Sequence, residues 1–159
     1  MGALVNEGLA LNDIVYGKDE CYTPKWLFDT LGLQFDLDVA SSNHPLVDVP
    51  TKHKYTIDDD GLSKPWFGRI WMNPPFSKVT PWIDKWLAHA NGLCLVPLSS
   101  NGRWVNKLWD SDAGCCYLPP NMAFQGASGH IVKMRWRTAV WALGDDNIAA
   151  LRKLGRVKL

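Results

Sequence analysis

The sequence predicts an α/β layer domain built on a mainly parallel sheet with long loops, and three observations carry that prediction. Segments with a helical apolar stripe alternate along the chain with short runs of strand length, the order expected when helices cover a sheet. The run Arg69-Ile70-Trp71-Met72 is apolar after its first residue and is closed off by Gly68 and the double proline at 74–75, as in a parallel strand buried on both faces. The chain of 159 residues, 47% hydrophobic and 21% charged, can bury one core without disulfides or a metal.

Residues 1–20 have weak periodicity and read as an N-terminal arm with at most a short helical turn, and residues 21–159 read as a single domain. In Thr23–Gly32, Thr23 suits a helix cap, Pro24 the first helical position and Gly32 the residue after the last turn. Phe35–Val39 alternates with a period of two, which predicts a strand ending near Asp38. From Ala40 to Pro65 no period survives. Pro45, Pro50, Gly61 and three successive aspartates at 58–60 punctuate a long loop, and loops of that length in small domains are commonly functional. After the strand 69–72, Thr80-Pro81 opens a helix whose Trp82, Ile83, Trp86, Leu87 and Ala90 form one apolar face, ended by Asn91-Gly92. Leu93–Pro97 reads as a strand, Arg103–Trp109 as a short helix, Gly114–Leu118 as a strand and Thr138–Leu143 as a strand ending at Gly144. A last helix runs from Asp145 or Asp146 to Leu154.

A formal net charge of +1 excludes a protein that coats nucleic acid by charge alone. Residues 130–159 carry seven basic side chains against two acidic ones, a net +5, which leaves residues 1–129 at −4. That segment reads either as a local basic face or as a solvated terminal helix with ordinary strand-edge charges. Cys21, Cys94, Cys115 and Cys116 have no Cys-x-x-Cys spacing and no accompanying His-x-x-x-His pair, so no metal is expected. Cys94 and the 115–116 pair lie in apolar runs, as small core residues of a reduced protein do. No signal peptide and no apolar run of about 18 residues is found, so a cytoplasmic protein without a membrane partner is expected. His44, His53, His89 and His130 read as surface or loop residues.

Ligands of parallel sheets bind at the carboxyl ends of the strands, and two of those ends carry informative residues. One is Asp38. The other is Asn73-Pro74-Pro75-Phe76, directly after the strand 69–72. Two successive prolines fix two φ angles and remove two N–H donors, so the loop is rigid and its carbonyls stay available as acceptors. Asn73 adds a side-chain carbonyl and Phe76 a flat apolar face, a combination suited to a planar group bearing an NH₂. If the Asn73 side-chain oxygen and the Pro74 carbonyl each accept one N–H, an amine delocalised into a ring is held and drawn toward a more nucleophilic, tetrahedral state. Positioning then supplies much of the rate, and the same fixed acceptors stabilise the positive charge that develops on nitrogen.

Asn-Pro-Pro-Phe after a buried strand resembles the catalytic motif of S-adenosylmethionine-dependent amino methyltransferases. The ordered set Tyr22-Thr23-Pro24, Phe35–Ser41, Asp59-Asp60-Gly61-Leu62, Pro65-Trp66 and Trp71–Ser77 is similar to the phage and prophage DNA N6-adenine methyltransferase family, over roughly residues 20–145. The resemblance implies a single Rossmann-like methyltransferase domain, in a bacterial host, that methylates adenine in double-stranded DNA with S-adenosylmethionine and no metal. It implies that Thr23, with Tyr22 and Pro24, lies near the carboxylate of the cofactor's methionine part. Asp38, followed by Ala40, approaches the methionine amino group, and Asp60 or its neighbour Asp59 accepts from the cofactor's adenine. Asn73, Pro74, Pro75 and Phe76 hold and stack a target adenine flipped out of the duplex.

The chain also departs from the family pattern. No glycine stands between Asp38 and Gly61, no strong acidic candidate for the cofactor's ribose appears beyond Asp48, and of a late Gly-Arg-x-x-Phe-like segment only Phe124 remains. Segments 97–107 and 119–137 are the candidate DNA-facing loops, with Phe124, Trp104, Lys133, Arg135 and Arg137 as candidate contacts. Of nine tryptophans, Trp26, Trp82 and Trp86 fit a core, Trp66 and Trp71 brace the strand before Asn73, and Trp141 fits a late strand. Trp104, Trp109 and Trp136 remain as possible DNA contacts. Alternatives are methylation of a protein glutamine amide through a similar loop, and a non-catalytic nucleic-acid-binding relic.

Overall fold

The computed structural model describes residues 21–43, 48–98, 103–120, 123–126, 131–133 and 137–159. The strands in chain order are β1 (Cys21–Tyr22), β2 (Phe35–Asp38), β3 (Thr51–Lys54), β4 (Ile70–Met72), β5 (Gly92–Pro97), β6 (Gly114–Tyr117), β7 (Ala123–Gly126), β8 (Ile131–Lys133), β9 (Thr138–Leu143) and β10 (Val157–Lys158). The helices are α1 (Lys25–Leu31), α2 (Val79–His89), α3 (Arg103–Trp109) and α4 (Asp145–Leu151), with a 3-10 turn at Phe76–Lys78 before α2.

Seven strands form the main sheet in the order β10-β6-β9-β5-β4-β2-β3, and β1, β7 and β8 form a small antiparallel sheet. β3, β2, β4 and β5 are mutually parallel. β9 is antiparallel to both β5 and β6, so β6 points with the parallel set while β9 and β10 oppose it. The α/β expectation holds, with an antiparallel flank beside the parallel strands. Chain order reverses at β2, which has β3 on one side and β4 on the other. Between β2 and β4 lies the crevice where open α/β sheets take their ligands.

Helices cover both faces, so the central strands alternate between two apolar layers. Trp71, Leu93, Leu95, Val140 and Ala142 pack with Leu27, Phe28 and Leu31 of α1 and Ala150 and Leu151 of α4. Ile70, Met72, Cys94, Val96, Ala139 and Trp141 face the other way, against Val79, Trp82, Ile83 and Trp86 of α2 and Trp104 and Leu108 of α3. The Trp71 ring meets Phe28 edge-on at 4.8 Å and Phe35 at 5.6 Å, which holds β4, the strand before Asn73, from below.

Several local expectations need correction. The stretch 40–65 contains β3, whose Lys52, His53 and Lys54 are exposed along a sheet edge and so show no apolar period. Pro24 is the cap of α1 rather than its first helical residue, and no side chain caps that helix. α2 starts at Val79 and ends on Ala90, which takes the left-handed conformation, while Gly92 already belongs to β5. A Cβ on Gly92 would stand 2.2 Å from the Ile70 carbonyl oxygen, so the glycine there is what lets β5 close on β4. α4 ends at Leu151, and the short β10 follows it. The proposed arm, residues 1–20, lies outside the described residues.

Candidate active site at the carboxyl edge of the sheet

A cleft of about 380 Å³ opens where β2 and β4 part. β1 leads into it through Tyr22 and Thr23, β2 ends in it at Asp38, and β4 feeds Asn73 and Pro75 into its wall. Val39, Ala40, Ser41, Ser42 and Asn43 line one side, and Thr56, Ile57, Asp60 and Gly61 another. The structure therefore gathers Tyr22, Thr23, Asp38, Ala40, Asp60, Asn73 and Pro75 around one space, with Asp48 at its rim.

Asp38 is only 2% exposed, and burial pushes its carboxyl up to about 7. The Ala40 backbone N–H donates to Asp38 Oδ1 at 3.2 Å and, with the neighbouring Ser41 hydroxyl and the Lys54 charge, offsets part of that cost. A buried carboxylate at a strand's carboxyl end is a seat for a cationic group.

Asp60 reaches the cleft because the loop after β3 is pinned at both ends. The Ser41 N–H donates to the Tyr55 carbonyl at 2.8 Å, the Tyr55 hydroxyl to Pro65 O at 2.8 Å, and Trp66 Nε1 to Gly61 O at 2.8 Å. From α2, Lys85 Nζ donates to Leu62 O at 2.8 Å and sits 5.0 Å over the Trp66 ring. The alternative of Asp59 is less suited to a ligand role. Its carboxylate takes the Thr56 N–H at 2.8 Å and the Thr56 hydroxyl at 3.2 Å, the backbone bond holding it below the usual carboxylate range, and it does not line the cleft.

Asn73 is half-buried, and its Nδ2 donates to Thr23 Oγ1 at 3.3 Å. Pro74 is buried and Pro75 half-buried; Phe76 is half-buried against both apolar layers, and of the Asn73–Phe76 turn only Asn73 and Pro75 line the cleft. Thr23, expected as a helix cap, instead spends its hydroxyl oxygen on the Asn73 amide.

Other site expectations fare differently. Phe124 is 1% exposed within the α1 and α4 layer, and Trp104 is 8% exposed beneath α2, so neither ring is a surface for DNA. Trp26, expected in the core, is 45% exposed. Arg137 is exposed at the start of β9, donating through Nε to Leu118 O at 2.9 Å and lying 5.6 Å from the Tyr117 ring. Lys133 belongs to β8. Arg135 and Trp136 lie outside the described residues, as do His44 and His130. His53 is exposed against Phe67, and His89 Nε2 lies 2.7 Å from Gly68 O. Cys94, Cys115 and Cys116 are buried free thiols, and burial pushes Cys115 up to about 12. Among the described residues no group of His, Cys, Asp or Glu could hold a metal, and no helix is long and apolar enough to cross a membrane.

Sequence reasoning missed Ser41, Thr56, Ile57 and Gly61 as parts of the cleft. The Asp-Gly step at 60–61 was a usable turn signal for the last; an isolated Ile57, 92% exposed, had none.

The family model for DNA N-6-adenine-methyltransferase (Dam) matches residues 12–122. That span includes every strand and loop that builds the cleft. No curated protein matches the chain.

Proposed function

Because the chain belongs to the DNA N-6-adenine-methyltransferase (Dam) family, we propose that it transfers the methyl group of S-adenosylmethionine to the N6 amine of an adenine flipped from duplex DNA into the cleft beside Asn73. The observation that carries the reading is the meeting of Asp38 and Asn73 in one crevice at the point where strand order reverses.

The residues present suit the cofactor. Its volume class matches a cleft of about 380 Å³, and the buried Asp38 carboxylate offers the seat its ammonium requires. Thr23 takes the methionine carboxylate, flanked by Tyr22 and Pro24. The Ala40 N–H keeps Asp38 oriented, and Asp60 accepts from the cofactor's adenine amine. When bound, the cofactor supplies an electrophilic methyl group on a sulfonium.

The chain's own contribution is to hold the acceptor nitrogen. Asn73 Oδ1 and the Pro74 carbonyl each accept one N6–H, which fixes the amine and pulls its lone pair out of ring conjugation. Phe76 stacks on the adenine, at about 1–3 kcal/mol, against the few kcal/mol that flipping the base costs. The acceptors stabilise the cationic nitrogen as it forms, so no strong base is needed to begin the step; the methyl–sulfur bond would break as the methyl–nitrogen bond forms, leaving a neutral thioether, and the surplus N6 proton would then pass to water.

Labelled-methyl transfer to DNA, with the product base identified, tests the reading. Asn73→Ala should lower kcat on the order of 10²–10³-fold, the usual result of removing one preorganised electrostatic partner. Equal label from wild type and Asn73→Ala would end the assignment, and so would label on cytosine.

A further inference from the structure

We infer that Thr23 is a positioning residue for Asn73, through which occupancy of the cofactor's carboxylate position sets the orientation of the catalytic amide. The inference rests on the function proposed above. The observation behind it is the contact from Asn73 Nδ2 to Thr23 Oγ1 at 3.3 Å, between residues fifty positions apart in sequence. A threonine just ahead of a helix ordinarily caps it, yet α1 has Pro24 at its cap and no side-chain cap bond.

An asparagine amide has nearly the same shape either way round, but one branch accepts and the other donates. Only the oxygen branch can hold the N6 amine. With Nδ2 turned to Thr23, Oδ1 occupies the opposite branch, the one that the proposed function directs at the substrate amine. A hydroxyl by itself does not enforce that choice, because it can also donate to Oδ1 if the amide turns over. It has one proton, however. Once that proton is directed at an anionic oxygen in the cleft, the Thr23 oxygen can only accept, and Asn73 must present its NH₂ to Thr23 and its oxygen to the base.

Thr23 is placed for both partners. It lines the cleft and is 8% exposed, so water competes little for its hydroxyl. Its branched Cβ restricts χ1, and its backbone is held between β1, which pairs with β7, and the fixed φ of −68° at Pro24. The side chain has little freedom to seek other partners.

The test separates a positioning role from simple cofactor contact. At saturating cofactor and DNA, Thr23→Val and Thr23→Ala should lower kcat roughly 10- to 100-fold, the scale of a misplaced catalytic group, while Thr23→Ser returns it to within about threefold. In an Asn73→Ala background Thr23→Val should change kcat no further. The second readout is independent of turnover. The side-chain ¹⁵N–¹H amide resonances of Asn73, assigned by their loss in Asn73→Ala, should shift when S-adenosylhomocysteine is added to wild type and Thr23→Ser, but not to Thr23→Val. An unchanged kcat in Thr23→Val at saturation overturns the inference, and so does an amide that responds to S-adenosylhomocysteine equally in wild type and Thr23→Val. If wild type transfers no methyl group to adenine, the proposed function fails, and the amide resonances alone still decide the role of Thr23.

Discussion

Asp38, the seat proposed for the cofactor's ammonium, works against the stability of its own fold. Its carboxyl stands near 7 in the folded protein because burial disfavours the charged form, against an ordinary value of 3.8. Between those two pH values the folded state holds a proton that the unfolded state has released. Stability therefore falls as pH rises through that window and levels off above about 7, by at most about 4 kcal/mol for a shift of this size. A cation seated on the carboxylate reverses the preference, so cofactor binding should release a proton near neutral pH and tighten as pH rises to a plateau above 7. Asp38→Asn should raise the melting temperature at pH 8, lose that advantage toward pH 4, and bind cofactor weakly with a flat pH profile. Thermal melts across pH and titration calorimetry in buffers of different ionisation enthalpy measure both halves. Parallel melting profiles for the two proteins would show that the buried carboxyl is not the group responsible. The residue was legible from its position at a strand end; its burial was not, since sequence shows Asp38 only as the polar member of an alternating strand.

Among the elements, the loop from β3 to β4 depends on one close approach. A Cβ on Gly61 would stand 2.1 Å from the Val39 carbonyl oxygen and 3.2 Å from the Trp82 ring. Val39 adjoins Asp38 and Gly61 adjoins Asp60, so a methyl group there pushes apart the two carboxylate-bearing walls of the cleft. Gly61→Ala should cost about 1–3 kcal/mol in denaturant unfolding, the range for overpacking, and weaken cofactor binding at the same time. Wild-type stability together with wild-type affinity would mean that the loop does not run against β2. The same loop marks the limit of what sequence could show. β4 and β5 were readable because burial on both faces makes them continuously apolar, and the Asn73–Phe76 turn because prolines announce it. β3 is an exposed edge of Thr51, Lys52, His53 and Lys54, with no apolar period to detect. β1 and β10 are two residues each and owe their conformation to partners far along the chain. Trp104 was misplaced for a related reason: a short helix with tryptophans at both ends does not reveal which one faces α2, and Trp104 is buried while Trp109 is 64% exposed.

Across the whole molecule, both signs of charge stand at each end of the sheet, so the small net charge is made of local groups rather than of one acidic and one basic end. At the amino end Asp36, Asp145 and Asp146 share a polar recess with Arg69, whose Nε donates to Asn147 Oδ1 at 2.6 Å. At the carboxyl end, exposed Lys54 closes β3, Lys78 closes the turn before α2 and Arg137 precedes β9, and they share that end with Asp48 and Asp60 of the cleft. On the proposed function, DNA is held at the carboxyl end by individual cations placed to meet phosphates rather than by a field of one sign. Arg137 is the best placed of these, because its bond to Leu118 O and its contact with the Tyr117 ring leave the guanidinium little entropy to lose on a phosphate. Arg137→Ala should weaken duplex binding and reduce the slope of log K against log salt by about 0.9, the share of one phosphate contact, with cofactor affinity unchanged. Lys153, exposed at the amino end with Nζ 3.4 Å from Leu31 O, is the matched control, and Lys153→Ala should leave the slope as it is. Fluorescence anisotropy with a labelled duplex between about 50 and 200 mM salt reads both variants. Equal slopes for the two would place the DNA elsewhere on the molecule, whereas a loss confined to Arg137→Ala would fix the carboxyl edge as the face that meets the duplex.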